Sequence, residues 1–206
     1  IATPHTHNGI YLNHFAAVSE SASLLQAELE KQKIPLNIHR GSEVHIHAEL
    51  CQNLQQKMVP TLGNTAYVLV ELPSSSIPIF TDKVLGRLVN EKFTPIIAHP
   101  ERNLIIQDNP MLLIKWRSCG IIVQITAGSL LGSWGIKVKQ FSRQLIKWGL
   151  VQVLASDGHN ATGRRMELKR AYKRLEKWFS PKTSLQFQSN AYAILHGDKV
   201  KVEGQR

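Results

Sequence analysis

The sequence is short of cysteine, with two in 206 residues. Cys51 and Cys119 lie far apart and neither has a close-spaced partner. Neither a disulfide framework nor a thiolate zinc cluster is indicated, and a reducing, cytoplasmic setting fits. Long apolar runs are missing as well. Ile121 to Val123 with Ile125, and Val151 to Ala155 interrupted by Gln152, fall far short of the roughly 20 residues that cross a bilayer. Ile1 to Asn8 has no basic region leading into an apolar one, as a secretory signal would. No Gly-rich loop of the G-x-G-x-x-G or Walker type follows any β-rich run, which argues against a dinucleotide or P-loop site. A cysteine nucleophile in a C-x5-R loop is excluded by position, because Lys57 and Ile125 stand where the arginines would be needed. The chain has no internal repeat and no low-complexity tract, and "LPSSSIP" (72 to 78) reads as one loop. Acidic residues are also in deficit, 15 against 25 lysines and arginines, for a formal charge of +10. The excess is densest between Arg164 and Lys177, which would attract phosphates, acidic polymers or anionic headgroups. Its basic residues share a helix with an apolar stripe and carry no aromatic-interleaved nucleic-acid motif. They therefore read as a solvated helix face, with no nucleic-acid partner expected.

What the chain does have is alternation. Its length and 43% hydrophobic content suit one domain over residues 1 to 206 with a sizeable core. Short apolar runs at Leu36 to Arg40, Tyr67 to Leu72, Pro95 to Ala98, Ile121 to Thr126 and Val151 to Ser156 predict strands buried on both faces. Ile1 to Thr3 reads as the tail of another, so a preceding N-terminal piece is expected. Helical spacing separates them: Phe15, Val18, Ala22, Leu25 and Leu29 form one stripe, and Leu168, Ala171, Tyr172, Leu175, Trp178 and Phe179 another. Thr162 is placed to cap the second helix, and Pro35 marks the exit from the first. Repeated βα units call for a parallel sheet, doubly wound or closed into a barrel. Without a Gly-rich phosphate loop, the barrel-like α/β fold is favoured.

Polar residues collect where these strands end. His5 follows Ile1 to Pro4, Glu43 follows Leu36 to Arg40, and Glu71 lies near the end of Tyr67 to Leu72. His99 and Arg102 follow Pro95 to Ala98, and Asp157 and His159 follow Val151 to Ser156. In a parallel barrel those ends share one face, where such folds hold their chemistry. Imidazoles and carboxylates are the ligand set for zinc, manganese or iron, and carboxylates can bridge two metals. His5 or Glu43 alone would more often be structural. A carboxylate inside "VLVELP", a histidine directly after "IIA" and an Asp-x-His directly after "VQVLAS" are costly to bury unless paired or metal-bound. His7, His14, His39, His45, His47 and His196 read as surface or supporting groups; the segment holding His45 and His47 is expected to turn into a helix, where the pair would face different sides.

The stretches "IATPHTHNGIY", "HRGSEVHI", "YVLVELP", "PIIAHPERN", "QITAGSLLGSWG", "LASDGHNATGR" and "NAYAIL" resemble, in order and across essentially the whole chain, the PHP (polymerase and histidinol phosphatase) superfamily. Within it they are similar to the bacterial manganese-dependent tyrosine-protein phosphatases of capsule and exopolysaccharide biosynthesis. The resemblance implies a distorted TIM-like βα barrel holding up to three metals, manganese first, with iron, zinc or cobalt as alternatives. It implies that Glu43 bridges two metals and that Glu71 and His99 complete the second site. It further implies that Asp157 serves the first, that His5 and His159 serve the third, and that Arg102 and Arg164 bind the phosphoryl group. Glu101 reads as orienting its neighbours. The family begins with a strand carrying an H-x-H pair, and this chain starts after that element. The pair His5 and His7 belongs to the next motif. The resemblance therefore implies an open barrel in which the second site keeps its protein ligands, while the first and third have fewer.

The expected reaction is metal-assisted hydrolysis of phosphotyrosine on a protein, a bacterial tyrosine kinase of polysaccharide synthesis being the expected partner. Arg102 and Arg164 would stabilise the phosphoryl charge, and His159 or a water would protonate the leaving oxygen. Two alternatives stand beside it: a small-molecule phosphoesterase of the histidinol phosphatase kind, and a non-catalytic remnant that binds phosphoprotein. The sequence leaves the oligomeric state open.

Overall fold

A computed structural model describes residues 1–7, 9–11 and 13–201. Six parallel strands run in the order of the sequence: β1 (His5–Thr6), β2 (Glu43–His45), β3 (Tyr67–Glu71), β4 (Thr94–Ala98), β5 (Ile122–Thr126) and β6 (Val153–Ala155). Each new strand is added on the same side of the last. A doubly wound sheet reverses its order, whereas winding in one direction gives the half-barrel seen here.

The helices are α1 (Phe15–Lys31), α2 (Leu50–Gln55), α3 (Thr81–Asn90), α4 (Leu104–Asp108), α5 (Met111–Ser118), α6 (Ala127–Leu131), α7 (Gly135–Lys147), α8 (Leu168–Trp178) and α9 (Pro181–His196). Successive strand residues face opposite sides, which divides the core in two. Val68, Val70, Ile97, Val123, Ile125 and Leu154 pack outward under helical residues such as Leu85, Leu88, Leu113, Trp116, Leu145 and Leu175. Tyr67, Leu69, Ile96, Ala98, Ile122 and Val153 point the other way and are met by Leu62, Ile194 of α9 and Val200. Tyr67, at the amino end of β3, donates its hydroxyl to the Asp198 carbonyl at 2.6 Å. Asn190 joins the Gln152 and Lys201 carbonyls. The inner face is thus sealed at its amino end, leaving the carboxyl end of the sheet for a site.

Three local expectations need correction. The strand expected at Leu36 to Arg40 is displaced: among these residues Arg40 alone forms an isolated bridge, with Ala2, and the strand begins at Glu43. The reason is long-range. The Ile38 N–H donates to the Gln26 side chain of α1 at 2.8 Å instead of to a ladder. Gly41 then passes so tightly beside Ile1 and Leu62 that a β-carbon there would lie 2.8 Å from Leu62 Cδ2. Second, Thr162 does not cap α8, which starts at Leu168 after Glu167 without a side-chain cap. Thr162 sits in a loop organised by Asn160, whose Oδ1 accepts the N–H groups of Thr162, Gly163 and Arg164. Third, the α1 stripe is buried only at Val18 and Ala22, and Leu25 is exposed.

Candidate metal and phosphate site

Register brings the donors together. His5 lies opposite Glu43, Glu43 opposite Leu69, and His45 opposite Glu71. Leu69 belongs to the inner face. His5, Glu43, His45 and Glu71 therefore share that face on adjacent strands, which run about 4.8 Å apart. His99 follows β4 and Asp157 follows β6, both with left-handed backbone (φ 34° and 49°). For residues with a β-carbon that conformation costs on the order of 1–3 kcal/mol and persists where surrounding contacts fix it.

Glu43 is 5% exposed. Its Oε1 lies 2.6 Å from His99 Nε2 and 4.0 Å from His5 Nδ1. Glu71 completes the group, with Oε2 3.3 Å from His5 Nδ1 and 3.6 Å from His45 Nδ1, and Oε1 3.7 Å from His99 Nε2. One donor atom each from His5, Glu43 and Glu71 fits within 4.8 Å of the others. Among the described residues this is the one such triple of histidine, cysteine and carboxylate donors. The Nδ1 atoms of His5 and His45 are buried without a hydrogen bond, because the approaches to Glu71 lack hydrogen-bond geometry. A buried and a partly buried carboxylate facing imidazoles, with orphaned ring nitrogens beside them, suit a divalent cation.

The electrostatics agree. The Glu71 carboxylate beside His5 raises that imidazole's pKa against the opposing effect of burial, with Glu43 and Asp157 adding to it. At His99 burial works downward, but the bond to Glu43 and its charge prevail, and the net direction is upward. Burial works to raise Glu71; His45, His5 and His99 overcome it and hold the carboxyl well below its usual range.

A second cluster adjoins the first. Asp157 Oδ2 accepts from Arg164 Nη2 at 2.6 Å and forms an ion pair with Arg102 Nη2 at the same distance. Burial favours the neutral acid, yet Arg102 and then Arg164 depress its pKa. His159 Nδ1 is 3.5 Å from Asp157 Oδ1, and its ring lies 5.7 Å from that of His5, which links the clusters. Asp157 faces the two arginines and His159, outside the compact triple. Arg102 also donates from Nη2 to Thr126 Oγ1 and from Nε to Ser129 Oγ. The fully buried Glu101 accepts the Thr126 N–H at 3.2 Å, fixing the floor under Arg102. Asn103 caps α4 by accepting the Ile106 N–H and donates to the Pro73 and Ser76 carbonyls, tying loop 72–78 to the exit of β4.

Sequence reasoning passed over two groups here. His45 lies on β2, not in a helix, one alternation beyond Glu43; the i, i+2 pairing in "EVH" was the available signal. Trp134 was not singled out. Its ring stacks under Arg102 at 4.1 Å and Arg164 at 5.4 Å, and it lines both cavities that meet over the arginines. His7 and His47 stack on each other at 4.4 Å, and His47 is held by Asn53 and the His45 carbonyl, so they flank the donor group without entering it.

Known proteins share this arrangement of chain. The chain is 38% identical over 200 residues to the tyrosine-protein phosphatase YwqE of Bacillus subtilis, covering 97% of this chain and 79% of the relative. It is 27% identical over 201 residues to the tyrosine-protein phosphatase CpsB of Streptococcus agalactiae, covering 95% and 83%. A solved structure from work on YwqE of B. subtilis and CpsB of Streptococcus pneumoniae, described as metal-dependent tyrosine phosphatases, superposes with a TM-score of 0.95. It has 36% identity and covers 100% of this chain and 85% of that one. The profile of the capsular polysaccharide synthesis CpsB/CapC family matches residues 1–196, and the chain belongs to that family.

Proposed function

We propose that this protein is a metal-dependent tyrosine-protein phosphatase whose half-barrel is of the PHP type, with manganese as its metal and a reducing cytoplasm as its setting. The observation that carries the reading is the juxtaposition of a partly buried His/Glu donor group with paired guanidinium groups, linked through His5, His159 and Asp157. His5, Glu43, Glu71 and His99 are the residues that would hold metal, with Asp157 and His159 adding donors at the edge. Bound there, divalent cations supply Lewis-acid activation of the attacking water and of the phosphoryl oxygens.

The protein's own groups do the rest. Arg102 and Arg164 present planar N–H forks to the phosphoryl oxygens, a geometry that a lysine does not reproduce. Their shared carboxylate, Asp157, yields those donors as a phosphoryl group enters. Thr126 and Ser129 hold Arg102 in place, so little reorganisation is needed as charge develops. His159, partly exposed at the mouth, is placed to give a proton to the leaving tyrosyl oxygen. The expected substrate is a phosphotyrosine protein, specifically a bacterial tyrosine kinase of polysaccharide synthesis. The relatives' names favour phosphotyrosine over a histidinol phosphatase activity or a non-catalytic role.

The test is hydrolysis of a phosphotyrosine peptide, a phosphoserine peptide and histidinol phosphate by the manganese-loaded protein. Selective turnover of phosphotyrosine, abolished by chelator, is expected. Preference for histidinol phosphate, or turnover that survives chelation, would contradict the reading.

A further inference from the structure

Of the basic segment Arg164 to Lys177, Lys169, Arg170, Lys173 and Lys177 lie on an exposed helix face, whereas Arg174 joins two cations of α7 around one indole ring. Trp178, at the end of α8, has Lys139 Nζ 5.9 Å, Arg143 Cζ 5.3 Å and Arg174 Cζ 5.5 Å from its ring centre. Two of these cations come from α7 and one from α8. None of the three has a carboxylate within ion-pair distance among the described residues. Each is attracted to the indole face, yet the three repel one another, and an incoming anion would relieve that repulsion.

The cluster approaches the arginine site at the α6–α7 turn, where Lys139 lies beside Gly132, two residues before Trp134. Trp134, which carries Arg102 and Arg164, immediately precedes α7. Lys137 lines the cavity over His99 and Arg102, and Arg165 lines the one over Asp157 and Arg164. Lys139 reaches back across the α6–α7 turn, where Gly132 leaves room: a β-carbon there would lie 3.3 Å from Lys139 Cδ. Lys139 and Arg143 are four apart, one above the other on the helix. From Gly135 to Arg143 the helix rises about 12 Å at 1.5 Å per residue. An extended peptide covers that distance in about four residues.

We propose that Lys139, Arg143 and Arg174 form a substrate track that binds carboxylate or phosphorylated side chains within about four residues of the phosphotyrosine on one side. The proposal deepens the phosphatase reading and rests on it for the position of the phosphotyrosine. A peptide is the occupant because the track opens on a phosphoryl site read as acting on protein and is about the length of a few residues. Membranes and nucleic acid are outcomes the test separates.

Two phosphotyrosine peptides, with glutamates or with glutamines at the flanking positions, are compared with p-nitrophenyl phosphate on the metal-loaded protein. The wild type has the lower KM for the glutamate peptide, and the gap closes as salt is raised. The variant Lys139→Gln/Arg143→Gln raises that KM about tenfold, leaving kcat, the glutamine peptide, p-nitrophenyl phosphate, bound metal and Tm unchanged. Equal KM values for both peptides on the wild type would overturn the proposal. So would an equal effect of the variant on both peptides, or a loss confined to binding of phosphatidylserine vesicles or an oligonucleotide. If no phosphate ester is turned over, the phosphatase reading fails. Fluorescence anisotropy of the same labelled peptides still decides the track: a glutamate preference lost in the variant supports it, and no preference removes it.

Discussion

Single residues carry the chemistry, and Arg102 is the most constrained of them. It is held by Asp157, Thr126, Ser129 and the Trp134 ring at once. Arg102→Ala should lower kcat/KM for phosphotyrosine peptide by roughly 10²–10³, with bound metal unchanged by elemental analysis; loss of metal instead would move Arg102 out of the phosphate role. Trp134→Leu keeps bulk but removes the face on which both guanidinium groups rest. It should weaken competitive inhibition by inorganic phosphate by about tenfold, while Trp134→Phe retains most of it. Equal losses in the two variants would show that the aromatic face is not what matters. The role of Trp134 was not visible in "SLLGSWG", because it acquires its meaning only when residues distant in sequence are folded over it. Arg102 was legible, since an arginine three residues after a strand-end histidine is an unusual way to end an apolar run.

Elements set where those residues stand. Four strands lie within a residue or two of the apolar runs that predict them, because a strand buried on both faces leaves little but apolar residues. β2 was misplaced, and the cause is a tertiary contact: Gln26 takes the Ile38 N–H, and Gly41 delays entry to the sheet. The same displacement hid His45, which as part of a strand faces the site together with Glu43. Helix packing is testable by pH. Asp82, in the first turn of α3, accepts from Lys115 Nζ at 2.6 Å and Trp116 Nε1 at 2.7 Å on α5. Lys115 first and then Trp116 depress its pKa. A folded pKa below the unfolded value, about 3.9, contributes stability at higher pH that is lost as pH falls through the folded value. Asp82→Asn should therefore be less stable than the wild type at neutral pH, with the difference shrinking on acidification below about pH 4. A difference in denaturation midpoint that stays constant with pH would show that the ion pair is not responsible.

At the scale of the molecule, one-directional winding turns strand tips that are distant in sequence into neighbours, and α9 closes the opposite end of the inner face. That division makes the fold a scaffold for its donors, which should be stabilised when metal occupies them. Manganese at a hundredfold excess over its Kd should add about 2.7 kcal/mol to unfolding stability, and Glu71→Gln should remove most of that gain while leaving the metal-free protein folded. The net charge of +10 belongs to the same scale, since a basic surface draws phosphorylated partners towards the arginine pair at low ionic strength.

The convergence of His5, Glu43, Glu71 and His99 on shared cations is tested most directly by crystals of the manganese-loaded protein, with anomalous data collected at the manganese edge. Anomalous density in contact with the Glu43 and Glu71 carboxylates and the His99 imidazole is the predicted result. Density elsewhere on the surface, with those side chains still paired only to one another, would contradict it.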